Sequence, residues 1–252
     1  MPRFFIRQNQ IEENKIRILG DDAHHISRSL RMAAGESITV CDMQGIEYDC
    51  RLVEFNDEDV VAEIVLRKSS ENEPTVYVRL FQALPKGDKL DSIIQKAVEC
   101  GVSEIIPFES ERCVVRIKPD AEDKKLQRRR RIAQEASKQC GRSVIPEISP
   151  SVSFSEMLER AALSDETLFC YEGDGTRPLG KLLSDLVEMH KNDGKRLSLS
   201  IVIGSEGGFS LSEVEKAKNR GFLLTGLGKR ILRTETASSF VLSGIVCFSE
   251  LM

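Results

Sequence analysis

The chain has 252 residues, of which 40% are apolar and 30% charged, with a net charge of −4. That length permits one large or two modest domains with a core that needs no staples, and the apolar runs fall far short of a membrane span. Seven scattered cysteines without a Cys-x-x-Cys pair, and only three histidines, argue against a disulfide framework or a metal site. They predict reduced thiols in a cytoplasmic protein, and Met1 to Arg7 turns polar too soon for a signal peptide.

Residues 1–70 read as short strands with one helix. Phe4–Ile6, Ile16–Leu19, Ser37–Val40, Tyr48–Val53 and Val60–Leu66 are the strand candidates, punctuated by Gly20, Gly35 and Gly45. Asp21 is the expected cap of the helix, with Ala23, Ile26 and Leu30 on one face. The pattern predicts a small β-barrel. The polar stretch Ser69 to Pro74 reads as a linker to a second domain over 74–252.

Beyond it the period changes. Val76–Leu84 reads as a buried strand. Asp88 precedes a helix whose apolar residues Leu90, Ile93, Ile94, Ala97 and Val98 share a face, and Gly101 sits where the helix should end. A strand at Glu104–Phe108 completes a β-α-β unit and implies a parallel sheet. A charged helix over 120–140 carries Arg128 to Arg131, which must point all round it; a solvated face explains this run as well as a partner does. Helices at 153–162 and 178–190 alternate with strands at 167–171 and 197–203. Ser210 and Glu213 form a capping box for a helix that Gly221 ends, followed by a strand at 222–225. A closing helix over 235–250 is apolar on most faces, which marks a core or subunit interface. Charge is uneven: residues 73–150 carry a net +3 against −5 over 1–72, so local fields matter more than the total.

Two segments carry chemistry. Gly204-Ser205-Glu206-Gly207-Gly208 follows an apolar strand and precedes a helix, where backbone N–H groups and a positive dipole end can meet an anion. Alone, such a turn is more often just a tight connection. Neither a P-loop nor a dinucleotide-binding glycine pattern is present. The second segment runs from Leu227 to Ala237, with Arg230 and Arg233 beside a helix start. Its two arginines suit an anion, or they pair structurally with Glu206 and Glu235.

Ile203 to Gly208, Leu227 to Ala237 and Leu84 to Gly101 together resemble the SPOUT RNA methyltransferases. More narrowly, they resemble the bacterial family that methylates N3 of a uridine in small-subunit (16S) ribosomal RNA. Arg3-Phe4-Phe5 and the run His24 to Met32 fit that family's PUA-like barrel, and the likeness covers nearly the whole chain. Two departures are Ser205, where the family usually has proline, and Thr234, where alanine is common and the change looks harmless. The resemblance implies an α/β SPOUT domain with a mostly parallel sheet and a deep trefoil knot, an N-terminal PUA-like β-barrel, and a homodimer with the site at its interface. It implies an S-adenosylmethionine pocket of three loops: Tyr171 and Glu172; Ile203, Gly204, Glu206, Gly207 and Gly208; and Leu227, Gly228, Arg230, Ile231 and Leu232.

Methyl transfer from a sulfonium is an in-line displacement that needs alignment and no metal. The proton on uracil N3 must also leave. Arg233 could stabilise the uracil anion or hold a phosphate; Glu235 or Glu206 could orient an arginine or accept the proton, and the base could be solvent. Arg233 and Glu235 are the catalytic candidates. Arg3, Arg28, Arg31, Lys86, Arg112 and Arg142 are expected at RNA phosphates, and His25 is expected to pack within the barrel. The competing readings are a methyltransferase for another RNA or for a ribose 2′-hydroxyl, and a non-catalytic RNA-binding dimer.

Overall fold

The computed structural model describes residues 1–117, 119–190 and 195–252. It separates into two compact units, Met1–Glu73 with Ser137–Ile145, and Pro74–Ala136 with Pro146–Met252. Among the described residues no helix is long and apolar enough to cross a membrane.

The first unit holds strands β1 (Arg3–Phe5), β2 (Ile11–Glu12), β3 (Lys15–Leu19), β4 (Ser37–Cys41), β5 (Ile46–Phe55) and β6 (Asp59–Ser69). They form one sheet in the order β1-β4-β5-β6-β3-β2, antiparallel except for the parallel β1–β4 pair. Alternate residues point inward: Ile16 and Ile18, Ile38 and Val40, Cys50 and Leu52, Val60 and Ala62. With Phe4 they share one buried cluster. Strands from both ends of the sheet meet in that cluster, so the sheet curls into a half-barrel, the PUA-like architecture.

The helix at its rim differs from the expectation. Helix α1 (Gly20–His24) has Leu19 at its cap position with no side-chain bond, and Asp21 lies inside the first turn. It continues as a π turn over His25–Ser29, in which Leu30 N–H donates to His25 O at 2.9 Å. The extra residue per turn rotates Leu30 off the face shared by Ala23 and Ile26. Leu30 is exposed, and Met32 packs on the core instead. His25 lies edge-on to Phe4, with ring centroids 6.3 Å apart.

The second unit is built on strands β7 (Tyr77–Ala83), β8 (Glu104–Glu109), β9 (Glu147–Ile148), β10 (Val152–Ser153), β11 (Glu166–Cys170), β12 (Arg177–Pro178), β13 (Ser198–Ile203) and β14 (Leu223–Gly226). Their order is β10-β8-β7-β13-β11-β14-β12, with β9 beside β8, and every pair is parallel. The helices are α2 (Lys89–Glu99), α3 (Pro119–Cys140, of which residues 119–136 fall in this unit), α4 (Phe154–Ala161), α5 (Leu179–His190), α6 (Leu211–Asn219) and α7 (Thr234–Glu250). Helix α2 buries the five apolar residues its spacing selects, although Asp88 makes no side-chain cap bond. Helix α7 packs on α2 and α5 while leaving Phe240 exposed.

The arginines of α3 are largely engaged. Arg128 pairs with Asp91 at 2.6 Å, and Arg130 donates to Ile148 O. Arg129 is buried against Glu122 at 3.0 Å.

Candidate active site

Parallel strands end on one side of their sheet, so the loops after β11, β13 and β14, three adjacent strands, converge. They enclose a cleft of about 750 Å³, within the range that holds a small-molecule ligand. Tyr171 and Glu172 line it from the first loop. Ile203, Gly204, Glu206, Gly207 and Gly208 line it from the second, and Leu227, Gly228, Arg230, Ile231 and Leu232 from the third. Every residue expected at the cofactor therefore faces one space.

The glycine loop is tight for internal reasons. A Cβ on Gly204 would lie 3.2 Å from the Phe209 ring and 3.3 Å from Gly208 Cα. A Cβ on Gly207 would lie 3.0 Å from both Cβ and O of Arg112. Any side chain at Gly207 thus meets the protein's own backbone, and Arg112 further donates to Gly207 O at 3.2 Å. Phe209 anchors the loop from below. Its ring lies 4.2 Å from Phe169 and parallel to Phe108 at 6.5 Å. Such aromatic packing resists displacement of the loop.

The N-terminus of α6 is not the anion site that the sequence suggests. Ser210 and Glu213 form the capping box. Glu213 also accepts from Glu111 N–H at 2.8 Å, and Ser210 Oγ donates to Glu111 at 2.6 Å. Two of the protein's own carboxylates already occupy that dipole end. The start of α7 differs: Arg233 holds its cap position without a side-chain bond.

Glu206 and Glu235 do not pair with Arg230 or Arg233. Their cation is Lys89, the first residue of α2, at 2.8 Å from Glu206 and 3.5 Å from Glu235. Glu206 also accepts from Lys86 N–H. Burial pushes the Glu206 carboxyl up, but the bonds from Lys89 and Lys86 outweigh it and hold it below the usual carboxylate range. Arg230 and Arg233 are exposed at the cleft lip, and Arg233 lines it. Cys170 lines it too, but burial pushes its thiol up to about 12, so it is no nucleophile at neutral pH.

The residues expected at RNA divide. Arg112 lines the cleft, and the Lys86 side chain is exposed near Glu206. Arg28 and Arg31 are exposed on the first unit. Arg3 and Arg142 are spent internally: Arg3 bonds Glu47 at 2.7 Å, and buried Arg142 bonds Glu73 at 2.9 Å. Sequence reasoning missed Lys89 and misjudged Thr234, which is 4% exposed and donates its hydroxyl to Gly204 O at 2.7 Å. It also left Ser205 open. That residue is buried, and its Oγ has no partner among the described residues.

Comparison with known proteins accords with this geometry. Residues 71–246 match the model of the RNA methyltransferase domain, and residues 18–65 match that of the RNA methyltransferase PUA domain. The chain is 37% identical to the ribosomal RNA small subunit methyltransferase E of Bacillus subtilis, over all of this chain and 98% of that one. It is 33% identical to the protein of that name in Mesomycoplasma hyopneumoniae, over 96% of this chain and 98% of that one. A Neisseria gonorrhoeae ribosomal RNA small subunit methyltransferase E, solved bound to S-adenosyl methionine, superposes with a TM-score of 0.81. It is 29% identical over 98% of this chain and 97% of that one. The chain belongs to the SPOUT RNA methyltransferases, in the family of the ribosomal RNA small subunit methyltransferase E proteins.

Proposed function

We propose that this chain transfers the methyl group of S-adenosylmethionine to N3 of a uridine in small-subunit ribosomal RNA. The observation that carries the reading is the convergence of three loops, after β11, β13 and β14, on one cleft of cofactor size. Gly208 and Gly228, both lining the cleft with positive φ and open space where a side chain would stand, suit a ligand read largely by main-chain groups. When bound, S-adenosylmethionine supplies an electrophilic methyl on a sulfonium.

The protein's part is alignment and charge. Arg233, exposed at the lip, stabilises the anion that uracil becomes when N3 loses its proton. Glu206 is a poor proton acceptor, because Lys89 and the Lys86 N–H favour its ionised form. Glu235, in the first turn of α7, is held with Glu206 by Lys89 and acts as a positioning group for the start of α7. The N3 proton leaves to solvent. Arg28, Arg31, Lys86 and Arg112 hold RNA phosphates, residues 1–70 acting as the RNA-binding domain and 74–252 as the transferase domain. The active form is a cytoplasmic homodimer with a trefoil knot around the cleft. Ile231, 82% exposed, and Phe240 supply apolar surface for the partner.

Mass mapping of methylated nucleosides in ribosomal RNA from a deletion strain, with and without the gene restored, tests the assignment. The expected result is loss and return of one N3-methyluridine in small-subunit RNA. A lost 2′-O-methyl group, or a lost mark on transfer RNA, would replace the substrate named here.

A further inference from the structure

Gln82 lies on β7 near the middle of the parallel sheet and is 0% exposed. A fully buried primary amide is costly unless its groups are bonded. Its Nε2 donates to Ala83 O at 3.0 Å and to Thr234 Oγ1 at 2.9 Å, while its Oε1 has no partner among the described residues. The Ala83 carbonyl can only accept, so it is the amide nitrogen that must face this side. Thr234 Oγ1 is then an acceptor towards Gln82. Its single proton is left for Gly204 O, 2.7 Å away, which can only accept.

The bonds thus run in one direction, from Gln82 through Thr234 to Gly204. They join the sheet interior, the first residue of α7 and the point where the glycine loop leaves β13. Pinning the Gly204 carbonyl also fixes the Ser205 N–H, because the two groups of a trans peptide point opposite ways. The Phe209 ring packs close to Gly204, 3.2 Å from where a Cβ would stand.

We propose that Thr234 is a positioning residue whose hydroxyl, oriented by Gln82, locks the Gly204–Gly208 loop to α7 in the geometry that receives the methyl donor. The proposal rests on the S-adenosylmethionine reading of the cleft for its consequence, but not for the lock itself. Two measurements on the full chain separate them: amide hydrogen exchange without ligand, and calorimetric titration with S-adenosylmethionine. Thr234→Val keeps the shape and removes the hydroxyl; Thr234→Ser keeps the hydroxyl. In Thr234→Val the amides of residues 205–208 should exchange about tenfold faster, and the Kd for S-adenosylmethionine should rise about tenfold. KM for the donor should rise with kcat at saturation nearly unchanged, and Thr234→Ser should restore all three.

Unchanged exchange in Thr234→Val would overturn the lock whatever the affinity does. So would equal losses in Thr234→Ser, since packing rather than the hydroxyl would then matter. Faster exchange with undiminished affinity would overturn its role for the donor. A wild-type protein that exchanges as expected but binds no S-adenosylmethionine would sink the cofactor reading and leave the lock standing.

Discussion

Arg233 extends from the residue before α7, and among the described residues no carboxylate lies within ion-pair distance of it. Lys89, by contrast, already spans Glu206 and Glu235. A cation without a protein partner at a cleft lip can meet charge that develops only during reaction, whereas one held by two carboxylates mainly fixes their positions. Arg233→Ala should therefore lower methyl transfer by about 100-fold or more, the usual cost of a lost charge stabiliser. Titration with S-adenosylmethionine should find affinity within about threefold of wild type, because a group that acts only in the transition state adds little ground-state binding. Unchanged turnover would remove Arg233 from the reaction. Arg233 was legible in the sequence because it sits in a short segment beside a helix start. Lys89 was not, because its partner Glu206 lies 117 residues away and only the folded sheet brings them together. Thr234 looked replaceable by alanine for the same reason: its partners come from β7 and from the loop after β13.

Helix α3 shows how an element can mislead. Its four consecutive arginines read equally as a solvated face or as a partner surface, and each 100° step sends the next in another direction. Arg129 points into the protein, where Glu122 Oε1 accepts from Arg129 and from both the N–H and Oγ of Ser151. Burial pushes the Glu122 carboxyl up, yet the Ser151 and Arg129 bonds prevail and hold it below its ordinary value. A carboxyl depressed in the folded state adds stability above its unfolded pKa and loses it as pH falls through the folded one. Glu122→Gln should cost about 1–3 kcal/mol at pH 7, from a weakened buried network. In urea titrations at several pH values, the gap from wild type should close as pH falls below about 4. A gap independent of pH would mean that packing, not charge, is lost. The amphipathic face of α2 and the capping box of α6 were readable because both are local patterns. The π turn at His25 was not, since one extra residue in a turn leaves no mark on apolar spacing.

For the molecule as a whole, the β-α-β alternation foretold a parallel sheet, and strand-and-turn spacing foretold the small β domain. Strand order was out of reach, because adjacency of β11, β13 and β14 depends on pairings between distant segments. Without that order, the three loops could be joined into one cleft only through the family resemblance. Charge has the same character: the sequence supplies its amount, and the fold decides which part is available. Arg3 is nearly buried with Glu47, at 13% and 6% side-chain exposure, while Arg28 and Arg31 are exposed on the same unit. Each phosphate contact contributes about 0.7–0.9 to the slope of log affinity against log salt. The double variant Arg28→Ala, Arg31→Ala should therefore flatten that slope by about 1–2 on a small-subunit RNA fragment, with thermal stability unchanged. Arg3→Ala should do the reverse. It strands a buried carboxylate, so its melting temperature should fall while its salt slope stays that of the wild type. A flattened slope in Arg3→Ala would show that its guanidinium leaves Glu47 for RNA, and that the ion pair in the free protein is a resting place.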